Sequence, residues 1–125
     1  MIVDTDVLIW VLRGNLKAAR AVDAVAGRAV SVVNYMELLQ GCRDKGEIRT
    51  IKSFLADLGF RMLPLTENIG HRALIYMEEY GLPAGLSLAD ALVAATAIEH
   101  GEQLLTANRR HYRPISELEV RVFRP

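Results

Sequence analysis

Three carboxylates stand where short apolar runs stop or helices start. Asp4 follows Ile2-Val3, Glu37 comes shortly after Val30-Ser31-Val32-Val33, and Asp90 heads the apolar stretch from Ala91 to Ile98. An ionised acid is cheap to hold at the rim of a sheet and costly to hold within it. Gathered in one crevice, three such acids repel one another. A like pair at about 4 Å costs roughly 4 kcal/mol at an effective dielectric near 20. The group persists if one carboxyl is protonated or if a divalent cation lies among them. Oxygen ligands with no His or Cys among them select magnesium or manganese over zinc. A cation held by few carboxylates keeps open positions. It can bind a phosphate oxygen and turn a bound water into the attacking hydroxide. The chemistry that suits this set is metal-assisted phosphodiester hydrolysis.

Each acid also has a plainer reading. Ser87-Leu88-Ala89-Asp90 and Asn34-Tyr35-Met36-Glu37 both have the form of a capping box, with the acid at the third helical position. Either acid alone reads as satisfying helix amides and the helix dipole. What favours chemistry is the joint pattern, an acid ending strand one, another after strand two and a third opening a buried helix.

The elements that must position these residues follow from periodicity. Ile2-Val3 reads as a buried strand. Val7 to Leu12 is apolar on every side and fits helix or strand, with Thr5 or Asp6 able to cap a helix there. Leu16 to Ala26 has Leu16, Ala19, Val22 and Val25 at helical spacing. Ala29 to Val33 is a strand, and Asn34 caps a helix to Gly41. Ile48, Ile51, Phe54, Leu55 and Leu58 mark an amphipathic helix ended by Gly59. Phe60 to Leu65 is a third strand. A long helix from Thr66 stops at Gly81, and Leu82 to Leu86, with Pro83 and Gly85, is a loop. Ser87 opens a helix without a polar face, hence a buried one, ended by Gly101. Gln103 to Leu105 is a strand, Thr106 to Pro114 is polar and basic, and Val120 to Phe123 is an edge strand with Arg121 facing solvent.

Alternation of strands and helices predicts an α/β three-layer sandwich, a mostly parallel sheet of four to five strands covered on both faces. One domain, residues 1–125, accounts for the whole chain. Helices between parallel strands run back against them, so their N-termini lie at the carboxyl rim. Asp4, Glu37, Asp90, Thr106 and Asn108 are then neighbours at that rim, where open α/β sheets bind ligands.

Four segments carry a resemblance. Met1 to Ile9 (MIVDTDVLI), Val30 to Gly41 (VSVVNYMELLQG), Leu86 to Ala97 (LSLADALVAATA) and Leu104 to Tyr112 (LLTANRRHY) resemble, in order, the four blocks of PIN-domain ribonucleases. The similarity is to the VapC toxins of bacterial type II toxin–antitoxin pairs. It implies a magnesium-dependent endoribonuclease, a toxin homodimer, and neutralisation by a small antitoxin whose C-terminal segment wraps the toxin; manganese, which the oxygen ligands also suit, is the substitute ion. Carried over, Asp4 and Asp90 become the main metal ligands, and Glu37 the third acid, directly or through water. The fourth family position, often acidic, is Asn108, where an amide can orient water or phosphate. That departure favours one strong metal site over two. Asp6, variable in the family, is expected outside the main ligand set.

The remaining composition bounds the partners. Hydrophobic residues make up 51% of the chain and charged residues 24%, with formal net charge zero, so any nucleic-acid surface must be local. Arg109, Arg110 and Arg113, with His111 and Tyr112, form the basic cluster beside the rim. Its functional reading is phosphate contact from the arginines and stacking of a base on Tyr112; the plainer one is a solvated loop. Trp10 is read as lining an apolar groove for a partner helix. His71 and His100 fall on helices away from the rim. Cys42, the only cysteine, excludes an internal disulfide and is read as inert. No stretch is long and apolar enough to span a membrane, so a cytoplasmic enzyme without a membrane partner is expected.

Other classes fit less well. A phosphoaspartate receiver needs a mid-chain Asp at a strand end and a late Lys, yet the third strand ends in Pro64-Leu65-Thr66 and no Lys follows Lys52. A phosphatase built on Asp4-Thr5-Asp6 lacks the same charge partner. A partner-binding PIN-like domain with a weak site stays open, because Asn108 is not an acid.

Overall fold

The computed structural model describes residues 1–125. Five strands, β1 (Ile2–Val3), β2 (Ala29–Ser31), β3 (Arg61–Leu63), β4 (Leu104–Thr106) and β5 (Val120–Val122), form one sheet in the order β3-β2-β1-β4-β5. Every pairing is parallel, so the sheet is wholly rather than mostly parallel. Seven helices connect them: α1 (Thr5–Leu12), α2 (Leu16–Asp23), α3 (Val32–Gln40), α4 (Lys45–Asp57), α5 (Glu67–Ala84), α6 (Leu88–Glu99) and α7 (Arg109–Tyr112).

The strands are short, and burial on both faces holds them. Side chains alternate between two cores, as the period of two along a strand demands. Ile2, Ala29 and Leu104 point into one core with α5 and α6. Val3, Val30 and Leu105 point into the other, with Val7, Leu8, Val22 and Leu55. Ile2, Val3, Val30 and Leu104 are fully buried, and each such side chain contributes roughly 1.5–3 kcal/mol. The apolar helix α6 is buried from Ala91 to Ala97, apart from half-buried Leu92, as its missing polar face requires.

Three boundaries differ from the sequence reading for local reasons. Helix α1 is capped by Asp4 itself, whose side chain accepts from the Thr5 amide. Helix α3 starts at Val32, two residues before Asn34. Ser31 caps it, and Asn34 closes a capping box from the third helical position. Helix α5 runs through Gly81 and Pro83 to Ala84. Pro83 lies in its last turn, where it forfeits one helical bond. The stop is Gly85, left-handed at φ 67°, with the Leu86 amide returning to the Tyr80 carbonyl at 3.2 Å. The basic stretch after β4, read as polar chain, contains the single-turn helix α7.

The chain places β2 and β3 on one side of β1, then crosses over to place β4 and β5 on the other. The crevice outside the carboxyl ends of β1 and β4 is therefore the topological switch point, the place where such sheets take ligands. Asp4 directly follows β1, and Thr106 ends β4.

Candidate active site

Asp4 is the hub of this crevice. It is 7% exposed and accepts four hydrogen bonds. Oδ1 accepts from the Thr5 amide at 2.9 Å and Asn34 Nδ2 at 3.2 Å. Oδ2 accepts from the Thr106 hydroxyl at 2.8 Å and the Tyr112 hydroxyl at 2.9 Å. Burial first, and the Asp6 charge second, push its carboxyl up to about 7, against the pull of those donors. A buried acid so close to a second one is a group that a cation would hold ionised.

The other sequence-selected acids join Asp4 through single side chains. Asp90, in the first turn of α6, accepts from the Tyr112 hydroxyl at 3.1 Å, so one phenol touches both carboxylates. Its backbone amide is the one capped by Ser87, at 3.1 Å, which leaves its carboxylate facing the crevice instead of closing a capping box. Glu37 accepts from the Thr5 hydroxyl at 2.7 Å, and that oxygen accepts from Asn34 Nδ2 at 3.0 Å. Because α3 begins at Val32, Glu37 lies in the second turn, beyond the reach of the helix's free amides. The capping reading of both acids thus fails on local geometry.

Asn108 turns away from the role of a free amide. Its Nδ2 donates to Asp6 Oδ2 at 2.7 Å, and the same oxygen accepts from the Ala107 amide at 3.1 Å and lies 3.3 Å from the Thr106 hydroxyl. Asp6, expected at the margin, is the fourth acid brought to the rim. Its Oδ1 is buried without a partner. An unpartnered buried carboxylate oxygen and an all-oxygen donor set around a raised Asp4 fit a hard divalent cation. As the side chains stand, hydroxyls separate the acids, and no three of them close directly into a coordination sphere.

Tyr112 is the correction to the basic cluster. At 1% exposure it has no face to offer a base. Helix α7 packs it inward because its hydroxyl finds Asp4 and Asp90, which meets the demand of a buried phenol for a partner. Burial and those two charges push it well above the ordinary tyrosine range, so it stays a donor. Arg109, Arg110 and Arg113 are exposed beside it, and His111 Nδ1 lies 3.5 Å from Asp90 Oδ2. The residues that sequence reasoning passed over, Thr5, Asn34 and the hydroxyl role of Tyr112, are polar groups inside apolar surroundings. Buried Asn34 at 0% exposure is visible in the sequence only as a helix-capping type.

A groove of about 580 Å³ leads from this rim between α1, α3 and α4. Ile9, Leu12, Leu38 and Ile51 line it with Arg13, and Glu37 stands on its wall. Trp10 does not line it; the ring is half-buried against the core of that face. Cys42 also borders the groove, and its thiol, pushed up by burial first and by Glu47 and Asp44, donates to the Leu38 carbonyl at 3.5 Å. His71 is exposed, and His100 caps α6 with Nδ1 2.9 Å from the Thr96 carbonyl. No helix is long and apolar enough to cross a membrane.

Comparison with known proteins identifies the family and the fold. The family model of the PIN domain matches residues 1–115. Ribonuclease VapC10 of Mycobacterium tuberculosis is 39% identical over 124 residues, covering 95% of this chain and 90% of that protein. Ribonuclease VapC1 of Rickettsia felis is 33% identical over 128 residues, covering 96% and 93%. Among solved structures, a toxin–antitoxin complex from Klebsiella pneumoniae superposes with TM-score 0.79 at 26% identity, covering 94% of this chain and 93% of that one. The DNA-bound VapBC of Salmonella typhimurium, at 15% identity with TM-score 0.77 over 97% and 96%, shares the fold. With its acids converging at the switch point of an all-parallel sheet and its whole length matched by such relatives, the chain belongs to the PIN-domain family, among the VapC ribonucleases.

Proposed function

We propose that this chain is a divalent-cation-dependent endoribonuclease and the toxin of a toxin–antitoxin pair. The observation that carries the chemistry is the hydrogen-bonded network that joins Asp4, Glu37 and Asp90 at one crevice. The names of the relatives support ribonuclease activity, and the VapBC complexes support an antitoxin partner. Asp4 and Asp90 would hold the ion, magnesium first and manganese as its substitute, with Glu37 the third acid. When bound, the ion supplies Lewis acidity toward a phosphate oxygen and a water acidic enough to attack.

The chain's own residues do the rest. Thr5, Asn34 and Thr106 fix the orientation of Asp4 by donating to it. Asn108 holds Asp6, the fourth carboxylate, in place. Arg109 and Arg110 are exposed beside the crevice and bind backbone phosphates of RNA, which suits a chain with no global basic field. The apolar groove ending at Glu37 takes the antitoxin's C-terminal segment, so that the partner covers the route to the acids. A cytoplasmic homodimer completes the reading and is read out by sedimentation.

The test is cutting of a labelled RNA by purified protein. Activity is expected with magnesium or manganese, absent in excess EDTA, and abolished by Asp90→Asn. That variant should melt no lower than wild type in EDTA, since the Ser87 cap remains and a like charge is gone. Cutting that persists in excess EDTA refutes the mechanism. A second reading, a partner-binding domain with a weak site, rests on Asn108 standing where the family often has an acid. Calorimetric titration with no magnesium signal would favour it.

A further inference from the structure

The Tyr112 hydroxyl has a role that neither the packing of its ring nor RNA binding explains. The ring fills core space that a phenylalanine would fill equally well. The oxygen, however, is the one hydrogen-bonded link between Asp4 and Asp90, at 2.9 Å and 3.1 Å. These acids come from different elements, the end of β1 and the first turn of α6, and no direct bond joins them.

Proton counting gives the hydroxyl a direction. A phenol has one proton and serves one acceptor at a time, while a carboxylate offers about four acceptor directions. All four of Asp4's are taken: by the Thr5 amide, Asn34, Thr106 and Tyr112. Asp90 has no side-chain donor within hydrogen-bond distance except Tyr112, since His111 stands at 3.5 Å. An ion on Asp4 must therefore take the place of a donor. The Thr5 amide is fixed by α1, and Asn34 is locked at 0% exposure between Ser31 and Thr5. Tyr112 can release Asp4 without losing a partner, by giving its proton wholly to Asp90, as Thr106 can by turning to Asp6; of the two, only Tyr112 also touches Asp90. Asp90, with 21% of its side chain exposed, has otherwise only the exposed His111 beside it, at 3.5 Å.

We propose that Tyr112 is a positioning residue whose hydroxyl holds Asp90 facing Asp4, so that both carboxylates meet one cation without the phenol touching ion or RNA. This rests on the assignment of Asp4 and Asp90 as the ion's ligands. Groups that orient a metal ligand from behind typically weigh 10–100-fold in metal affinity, and Tyr112 belongs to that class.

The experiment is calorimetric titration of Mn2+ into chelator-treated wild type, Tyr112→Phe and Asp90→Asn. RNA affinity in EDTA and cutting across a Mn2+ series are measured on the same samples. Tyr112→Phe should weaken Mn2+ binding about tenfold or more. Its RNA affinity in EDTA should match wild type, and its cutting rate should approach wild type at saturating Mn2+. Mn2+ binding that is unchanged or tighter in Tyr112→Phe, while Asp90→Asn abolishes it, overturns the inference alone. An equal loss of RNA affinity in EDTA also overturns it, by assigning the hydroxyl to the placement of α7. Unchanged Mn2+ binding in Asp90→Asn overturns the ligand assignment and this inference with it.

Discussion

Replacing Asp4 by asparagine should stabilise the protein in the absence of divalent ions, although it removes the central acid. Burial and the Asp6 charge raise the Asp4 carboxyl from its ordinary 3.8 to about 7. An acid whose folded pKa lies above its unfolded one binds its proton more tightly when folded. Its contribution to stability therefore falls as pH rises through that window, here from about 4 to about 7. At about 1.4 kcal/mol per pH unit, the full cost is roughly 4 kcal/mol above pH 7, and roughly 2.5 kcal/mol of it develops between pH 5 and pH 8. The substituted amide has no such window and keeps the network closed. Its oxygen can accept from the Thr5 amide and Asn34 as Oδ1 does now. Its nitrogen can donate to the Thr106 and Tyr112 oxygens, whose protons then turn to Asp6 and Asp90. The assay is urea unfolding in EDTA at pH 5 and pH 8. The gap between Asp4→Asn and wild type should widen by roughly 2.5 kcal/mol between those two pH values, a midpoint difference of about 1–2 M for a protein of this size. Magnesium should raise the wild-type midpoint and leave the variant unmoved, by linkage. A gap that stays constant or narrows toward pH 8 refutes the claim that Asp4 carries an uncompensated charge.

Two further outcomes follow from the same geometry. Asn108→Asp sets a carboxylate against Asp6, where an amide now donates at 2.7 Å; at this exposed position it should cost about 1 kcal/mol in EDTA, and magnesium should restore more melting temperature than in wild type, as scanning fluorimetry can read. Arg109→Ala and Arg110→Ala should each weaken RNA binding in EDTA and flatten its dependence on log salt by about 0.7, whereas unchanged slopes would mean that α7 does not meet the backbone.

A largely parallel sheet covered on both faces was readable because burial on both faces leaves a local signature. Ile2-Val3, Ala29-Val30 and Leu104-Leu105 are apolar pairs whose members enter opposite cores, and the unbroken apolar run of α6 admits no exposed face. The three acids were readable as well, because a carboxylate at a strand end or helix start stands out in apolar surroundings. Boundaries set by capping were harder. Ser31 competes with Asn34 for the same helix start, and Pro83 is tolerated only because it falls in the final turn of α5.

The sequence by itself determined the layers and that Asp4, Glu37 and Asp90 reach the carboxyl rim, since these depend on residues within a few positions of one another; it left Asp6 outside that set. The tertiary structure alone decided who partners whom across that rim. Tyr112 turns inward to Asp4 from 108 positions away, Asn108 spends its amide on Asp6 across 102, and Thr5 reaches Glu37 across 32. Each of these residues is polar and equally at home in water, so its type does not reveal its neighbour. Only the closing of the sheet, which removes water from the crevice and makes every unpaired donor costly, selects the acceptor it must find.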